Sequence, residues 1–137
     1  MDRKDLQTLS RVRLKEAKAL LDAGLPDGAY YLAGYAVECA LKACIAKATK
    51  RHEFPDLTRV RDSYVHKIAD LVKLAGLEEN RRLLAADDEG FNENWVIVKE
   101  WSENSRYSRN DLDTARTLLR AIEDRDHGII PWIRQYW

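Results

Sequence analysis

One long segment, residues 27–49, carries apolar side chains on every side of a predicted helix. Asp27 is a favourable N-cap residue, and alanine or leucine fills much of the segment, so the local preference is helical. Apart from Glu38 and Lys42, residues 29–46 carry no charge. A helix that is apolar all round either spans a membrane or lies at the centre of a packed domain, and two charges within it argue against a span. The pattern therefore predicts the central helix of a small helical bundle.

Elsewhere, apolar residues recur at steps of three and four, which is the spacing of amphipathic helices, and no strand pattern or internal repeat is present. Gly24 and the short link at residues 25–28 predict an antiparallel pair of helices at the start of the chain. The predicted helices cover residues 4–23, 27–49, 63–76, 78–86, 91–103 and 111–128, with a loop or frayed end at 104–110 and a last turn at 132–137. Five of them are main helices joined by short links, so we predict an all-α, five-helix up-and-down bundle in one domain, residues 1–137.

The composition narrows the class of protein. The sequence holds 23 basic and 23 acidic residues, a net charge of zero, which excludes a strongly basic nucleic-acid clamp. The charged N-terminus leads straight into an amphipathic pattern, so we expect no signal peptide. Cys39 and Cys44 lie five positions apart, on different faces of the central helix. This spacing predicts buried free thiols in a reducing cytoplasm rather than a disulfide or a metal pair.

Four features of the sequence occur together in a known family of helical domains. Residues 27–43, which read DGAYYLAGYAVECALKA, strongly resemble the second helix of HEPN domains, named for higher eukaryotes and prokaryotes nucleotide binding. His66 in the string HKIADL, Arg106 and Tyr107 at the end of WSENSRY, and the closing residues 132–137 resemble later parts of the same domain, in the same order. The resemblance covers nearly the whole chain, and it implies a five-helix bundle that commonly forms homodimers.

The resemblance also implies a function. Many HEPN proteins are metal-independent ribonucleases that act as toxins or in antiviral defence, often beside a small nucleotidyltransferase that serves as the antitoxin. Those ribonucleases carry an arginine followed, after four to six residues, by a histidine, whereas residues 111–113 after Arg106 contain no histidine. The alternative is a non-catalytic module that binds a nucleotide or a partner nucleotidyltransferase. Since no HExxH, paired CxxC or glycine-rich phosphate loop is present, we expect no metal or cofactor.

Two other arginine–histidine pairs have a spacing that allows joint action on a phosphate. Arg120 and His127 lie seven positions apart, which on one helix places them on nearly the same face. The arginine can then hold phosphate oxygens while the histidine moves a proton, although a histidine at a helix end is often only a partner of the helix dipole. Arg61 and His66 have four residues between them, and we expect His66 in the first turn of the third helix, where backbone N–H groups favour a phosphate. His66 can equally serve packing alone.

A third candidate site lies on the central helix. Tyr31, Tyr35, Glu38 and Lys42 follow at steps of four, three and four, so they form one stripe. A carboxylate on so apolar a helix needs a partner, and we expect Lys42, four residues on, or Arg106 from the fourth main helix. The functional alternative is a polar site in which the carboxylate, His66, Arg106 and Tyr107 converge to bind a nucleotide or to cut RNA.

Two further groups of residues are candidates for contacts with partners. Basic residues of the first helix and the run at residues 47–52 offer a surface for phosphates, which is equally explained by solvation. The basic residues of the first helix are Arg11, Arg13, Lys15 and Lys18. The aromatic residues Trp132, Tyr136 and Trp137 are expected to pack onto the bundle or into a second subunit.

Overall fold

The computed structural model defines residues 1–51 and 66–137, and within these ranges all regular structure is helical. No strand occurs in either range, which confirms the predicted all-α class. The helices, in chain order, are α1 (Arg3–Asp22), α2 (Pro26–Arg51), α3 (Ile68–Leu74), α4 (Glu78–Asp87), α5 (Glu89–Val98), a 3₁₀ helix (Glu103–Tyr107), α6 (Leu112–Glu123) and α7 (Ile129–Arg134).

Helix α2 is the centre of the fold. Every residue from 36 to 41 is buried, although these residues point to all sides of the helix. Helices α1, α3, α6 and α7 and the 3₁₀ helix all pack against α2. The predicted central helix is therefore confirmed. In the described part of the chain, no helix has both the length and the apolar character that crossing a membrane requires.

The first two helices form the expected antiparallel pair. Gly24 turns the chain with a φ of 77°, a left-handed conformation that suits glycine. Near the turn, Gly28 lies against Leu20. Farther along, the Ser10 hydroxyl donates a hydrogen bond of 2.7 Å to the Ala36 carbonyl. Because residue numbers rise along one helix as they fall along the other, the two helices run in opposite directions.

The start of α2 differs from the prediction by one residue. The helix begins at Pro26, a residue well suited to the first helical position. Asp27 therefore lies in the first turn rather than at the N-cap. Its carboxylate instead accepts a hydrogen bond from the backbone N–H of Asn110. This contact joins the start of α2 to the segment that precedes α6.

Among the other helix boundaries that differ from the prediction, two affect candidate site residues. Helix α3 has its N-cap at Lys67, so His66 precedes the helix instead of lying in its first turn. Helix α6 ends at Glu123 rather than Gly128, because the backbone of Asp124 is not helical, with a φ of −48° and a ψ of 127°. The chain then turns tightly, and the Gly128 N–H donates to the Asp124 carbonyl at 2.8 Å. Residues 104–110, expected to be a loop or frayed end, contain most of the 3₁₀ helix.

The aromatic residues at the end of the chain pack onto the bundle, as expected. Trp132 is buried, and its Nε1 donates a hydrogen bond of 2.7 Å to Asn80 Oδ1. The amide nitrogen of Asn80 in turn donates to the Tyr136 hydroxyl at 2.9 Å. Gln7 Nε2 donates to the Trp137 carbonyl at 2.8 Å. These contacts attach α7 and the residues after it to α4 and α1.

Candidate functional site

The polar site of the molecule is built around a carboxylate in the core. Of the charged side chains that the structure describes, only Glu38 on α2 is buried, with 2% of its surface exposed. Its Oε1 lies 2.8 Å from Nδ1 of His66. Its Oε2 lies 3.5 Å from Nζ of Lys42, one turn further along α2. Two donors thus compensate the loss of hydration that burial of a carboxylate costs.

Beyond His66 the polar contacts continue to a second carboxylate at the surface. Nε2 of His66 lies 3.3 Å from Oε2 of Glu103, at the start of the 3₁₀ helix. The side chain of His66 is 38% exposed and that of Glu103 is 44% exposed. We call Glu38, His66 and Glu103 the triad. It runs from the protein interior to solvent, and a histidine is its middle member.

The hydrogen-bonding pattern of the triad fixes how the imidazole can act. A carboxylate oxygen accepts hydrogen bonds, so the contact with Glu38 places a proton on Nδ1 of His66. In the neutral ring Nε2 is then the nitrogen that can take up a proton. When it has done so, it can donate a hydrogen bond to Glu103. A partly exposed histidine that is oriented by a buried carboxylate is the arrangement of a general base or acid.

Aromatic rings support the side of α2 next to the triad. Tyr31 and Tyr35 have ring centroids 6.0 Å apart, and Tyr31 stacks on Trp101 at 6.1 Å. Trp101 comes this close because residue 34 is glycine, where a Cβ would lie 2.2 Å from the indole. Burial raises the pKa of Tyr35, and the negative charge of Glu38 acts in the same direction. The predicted stripe of two tyrosines, Glu38 and Lys42 is therefore present on α2.

Arg106 does not pair with Glu38, so that predicted ion pair is wrong. The guanidinium of Arg106 instead lies 4.8 Å from the ring centroid of Tyr107. Tyr107 is 76% exposed, and Arg106 is also exposed. His66 occupies the place beside the buried carboxylate that we expected Arg106 to take. Of the four residues expected to converge, the structure brings Glu38 and His66 into contact, and leaves Arg106 and Tyr107 at the surface.

Arg106 nevertheless belongs to the same short helix as one member of the triad. It follows Glu103 by three positions in the 3₁₀ helix. Side chains three apart in a 3₁₀ helix are eclipsed, since this helix has three residues per turn. Arg106 and Glu103 therefore project from one face of the helix. The exposed guanidinium of Arg106 is therefore carried by the same short helix as Glu103, one turn further along.

Arg120 and His127 do not share a helix face, so their predicted geometry is wrong. Arg120 is exposed on α6, whereas His127 lies in the turn after that helix. Nδ1 of His127 is 2.8 Å from Oδ2 of Asp88, and this hydrogen bond raises the pKa of His127. The other oxygen of Asp88 accepts from the Phe91 N–H at the start of α5. The position of His127 is explained by this link between the turn and the N-terminus of α5.

The remaining residues that the sequence singled out do not belong to the triad. Arg61 and the histidine of the basic run, His52, lie outside the described residues. Cys39 and Cys44 are buried and free, as predicted, and burial raises the pKa of each thiol to about 12. In residues 1–51 and 66–137, no group of three or more His, Cys, Asp or Glu side chains is arranged as a metal site.

Glu103 is the member of the triad that the sequence did not reveal. It stands in the string WSENSRY, which carried the resemblance, but only Arg106 and Tyr107 of that string were candidate site residues. No helical spacing relates it to Glu38 or His66, because the three residues belong to separate segments. The sequence offered one indication of its role: Glu103 lies between Trp101, which is buried in the core, and Arg106.

Comparison with protein-family models, with curated proteins and with solved structures finds no match for this chain.

Proposed function

We propose that this protein is a HEPN-like five-helix domain that cleaves RNA without a metal ion, acting as a toxin or a defence component. The observation that carries the proposal is the 2.8 Å contact between the buried Glu38 and Nδ1 of His66. It orients an imidazole that is 38% exposed and whose second nitrogen faces Glu103. Histidine is the side chain most often used to move protons at neutral pH.

In the proposed reaction, Nε2 of His66 removes the proton from a ribose 2′-hydroxyl. The 2′-oxygen then attacks the adjacent phosphorus, an O2′–P bond forms, and the P–O5′ bond breaks. The departing 5′-oxygen takes a proton from solvent. Glu38 holds Nδ1 and stabilises the imidazolium, while Glu103 accepts the hydrogen bond of the newly protonated Nε2.

The remaining site residues have supporting roles in this proposal. Arg106, which is exposed on the helix face of Glu103, binds the non-bridging oxygens of the phosphate. Lys42 adds positive charge beside the buried carboxylate. Tyr31 contacts Tyr35 and stacks on Trp101, and these contacts help to hold the segment that leads into the 3₁₀ helix against α2.

We extend the proposal to partners on the basis of the resemblance. The domain forms a homodimer, and a small nucleotidyltransferase acts as its antitoxin. Free thiols on α2 suit a reducing compartment, and we propose the cytoplasm.

One observation favours the alternative, a non-catalytic module that binds a nucleotide or a partner nucleotidyltransferase. Arg106 rests on Tyr107, and among the described residues no arginine has an ion pair with a member of the triad. A phosphate-holding guanidinium is therefore not already fixed beside His66. In this alternative the triad is a structural link between α2, the residue before α3 and the 3₁₀ helix.

The two functions are separated by an RNA digest in EDTA with purified protein and the variants His66→Ala, Arg106→Ala and His127→Ala. Cleavage that persists in EDTA and is lost in His66→Ala supports the ribonuclease. His127→Ala is the matched control, since its imidazole also pairs with a carboxylate but lies in another part of the fold. Absence of cleavage, combined with a rise in melting temperature on addition of nucleotide, supports the binding module.

A further inference from the structure

A cleft of about 340 Å³ opens between α1, the end of α6 and α7, and no residue of the triad lines it. One of its side chains, that of Glu123, is acidic. Four are basic: Arg11, Lys15, Lys18 and Arg134. Nζ of Lys18 lies 2.6 Å from Oε2 of Glu123, so these two charges compensate each other. Three cations remain in one small cleft, although the whole sequence has a net charge of zero.

The two arginines are held in position by an aromatic ring instead of a carboxylate. The guanidinium carbon of Arg11 lies 4.8 Å from the ring centroid of Trp137, and that of Arg134 lies 5.3 Å from it. Gln7 on α1 donates to the Trp137 carbonyl, which ties this residue to the helix that carries Arg11. In the described part of the chain, neither arginine nor Lys15 forms an ion pair with a carboxylate side chain.

Two guanidinium groups that share a ring repel each other in the absence of a counter-charge. Burial lowers the pKa of Arg134, and the positive charge of Arg11 lowers it further. A phosphate between them would remove this repulsion, and arginine forms paired hydrogen bonds to phosphate oxygens. Because cation–π contacts already order both side chains, less conformational entropy is lost on binding.

The cleft is larger than a bare phosphate needs. Its floor is apolar and consists of Leu14, Ile130 and Pro131, of which the first two are buried. Its volume lies at the lower end of the range typical of small-molecule sites, roughly 300–1,000 Å³. We propose that the cleft binds the phosphate group of a small ligand through Arg11, Lys15 and Arg134, with an apolar part of the ligand on this floor. This site is separate from the proposed ribonuclease chemistry and does not depend on it.

Calorimetric titration of the full chain with three probes tests the site: inorganic phosphate, pyrophosphate and phenyl phosphate. We expect saturable binding that weakens with added salt. Tighter binding of phenyl phosphate than of inorganic phosphate identifies an organic phosphate as the ligand class. Equal binding of these two would contradict the contact between an apolar part of the ligand and the floor, even if pyrophosphate binds more tightly. Absence of saturable binding for all three probes overturns the proposal.

Variants locate the binding in the cleft. Lys15→Gln and Arg134→Gln should each weaken binding by about tenfold, because each removes one charge-assisted contact. Arg82→Gln is the matched control: Arg82 is exposed, pairs with Glu79 and lies outside the cleft, so its loss should leave affinity unchanged. Lys15 is exposed, and its variant decides the outcome if Arg134→Gln unfolds the protein. Equal affinities for wild type and Lys15→Gln would contradict the assignment.

Discussion

Trp101 lies directly against Gly34 of α2, so closely that a Cβ on residue 34 would be 2.2 Å from atoms of the indole. The indole is buried and stacks on Tyr31. Glu103 follows two residues after Trp101 and faces His66. The absence of a side chain at position 34 therefore sets how closely the 3₁₀ helix, with its triad carboxylate, approaches the helix that carries Glu38.

The first prediction concerns this contact. Gly34→Ala should lower the free energy of unfolding by about 1–3 kcal/mol, because overpacking against the buried indole outweighs the ~1 kcal/mol that alanine gains in a helix interior. Urea denaturation measures the change. Gly28→Ala on the same helix is the control, since the nearest atom that its Cβ would meet is a methyl carbon of the Leu20 side chain, at 3.0 Å. A Gly34→Ala protein as stable as Gly28→Ala would show that the contact is not tight.

The second prediction concerns the contact between Glu38 and His66. A double-mutant cycle with Glu38→Gln and His66→Ala should give a coupling energy of about 1–3 kcal/mol, because each side chain is the other's hydrogen-bond partner in a partly buried site. Unfolding free energies of the four proteins in urea provide the values. The same cycle with Glu38→Gln and His127→Ala should be additive within about 0.5 kcal/mol. Additivity in both cycles would contradict the described hydrogen bond.

The third prediction is a pH dependence from His127 and Asp88. Their hydrogen bond raises the pKa of His127 above 6.5 and lowers that of Asp88 below 3.8. The contribution of His127 is fully present below pH 6.5 and is lost as the pH rises through its folded-state pKa; that of Asp88 is lost as the pH falls through its own. The His127–Asp88 pair therefore stabilises the fold most between the ordinary pKa of aspartate, 3.8, and that of histidine, 6.5.

Denaturation of wild type and His127→Gln as a function of pH measures this effect. The difference in stability between them should be larger near about pH 5 than near about pH 8. A difference that is the same at both pH values would show that the imidazolium makes no favourable contact with Asp88 in the folded protein.

The fourth prediction concerns the thiols of Cys39 and Cys44. Burial raises the pKa of each to about 12, so the thiolate is scarce at neutral pH and is screened from reagents. A disulfide reagent should modify both residues rapidly in denaturant and only slowly in the native protein. Fast modification of the native protein would show that the faces of α2 that carry these cysteines are accessible.

The central helix could be predicted from the sequence because the pattern that identifies it lies within one short segment. Residues 29–46 carry only two charges, and this alone identified α2 as the helix around which the others pack. The end of α6 was predicted wrongly because Gly128, a residue type that often follows a helix, suggested a longer helix. Asp124 leaves the helical conformation instead, in favour of a tight turn closed by the Gly128 N–H. The spacing of apolar residues does not show whether a segment such as residues 124–128 continues a helix or forms a tight turn.

The candidate site was predicted only in part, for a related reason. Glu38 stood out as a carboxylate on an apolar helix, which needs a partner, and Lys42 was found by its helical spacing. The choice between His66 and Arg106 as the second partner depends on how separate segments pack, and spacing carries no information about that. Glu103 was missed because a glutamate in a polar string looks, in the sequence, like any solvated residue.

The central claim is that His66, oriented by Glu38, moves the proton in metal-free RNA cleavage. The direct test is the rate constant for cleavage of a defined RNA oligonucleotide in EDTA by wild type and by His66→Gln, under conditions in which both proteins are folded. The account predicts wild-type cleavage that leaves a 2′,3′-cyclic phosphate, and a rate roughly 10²–10⁴-fold lower for His66→Gln. Equal rates for the two proteins, or cleavage by neither, would contradict it.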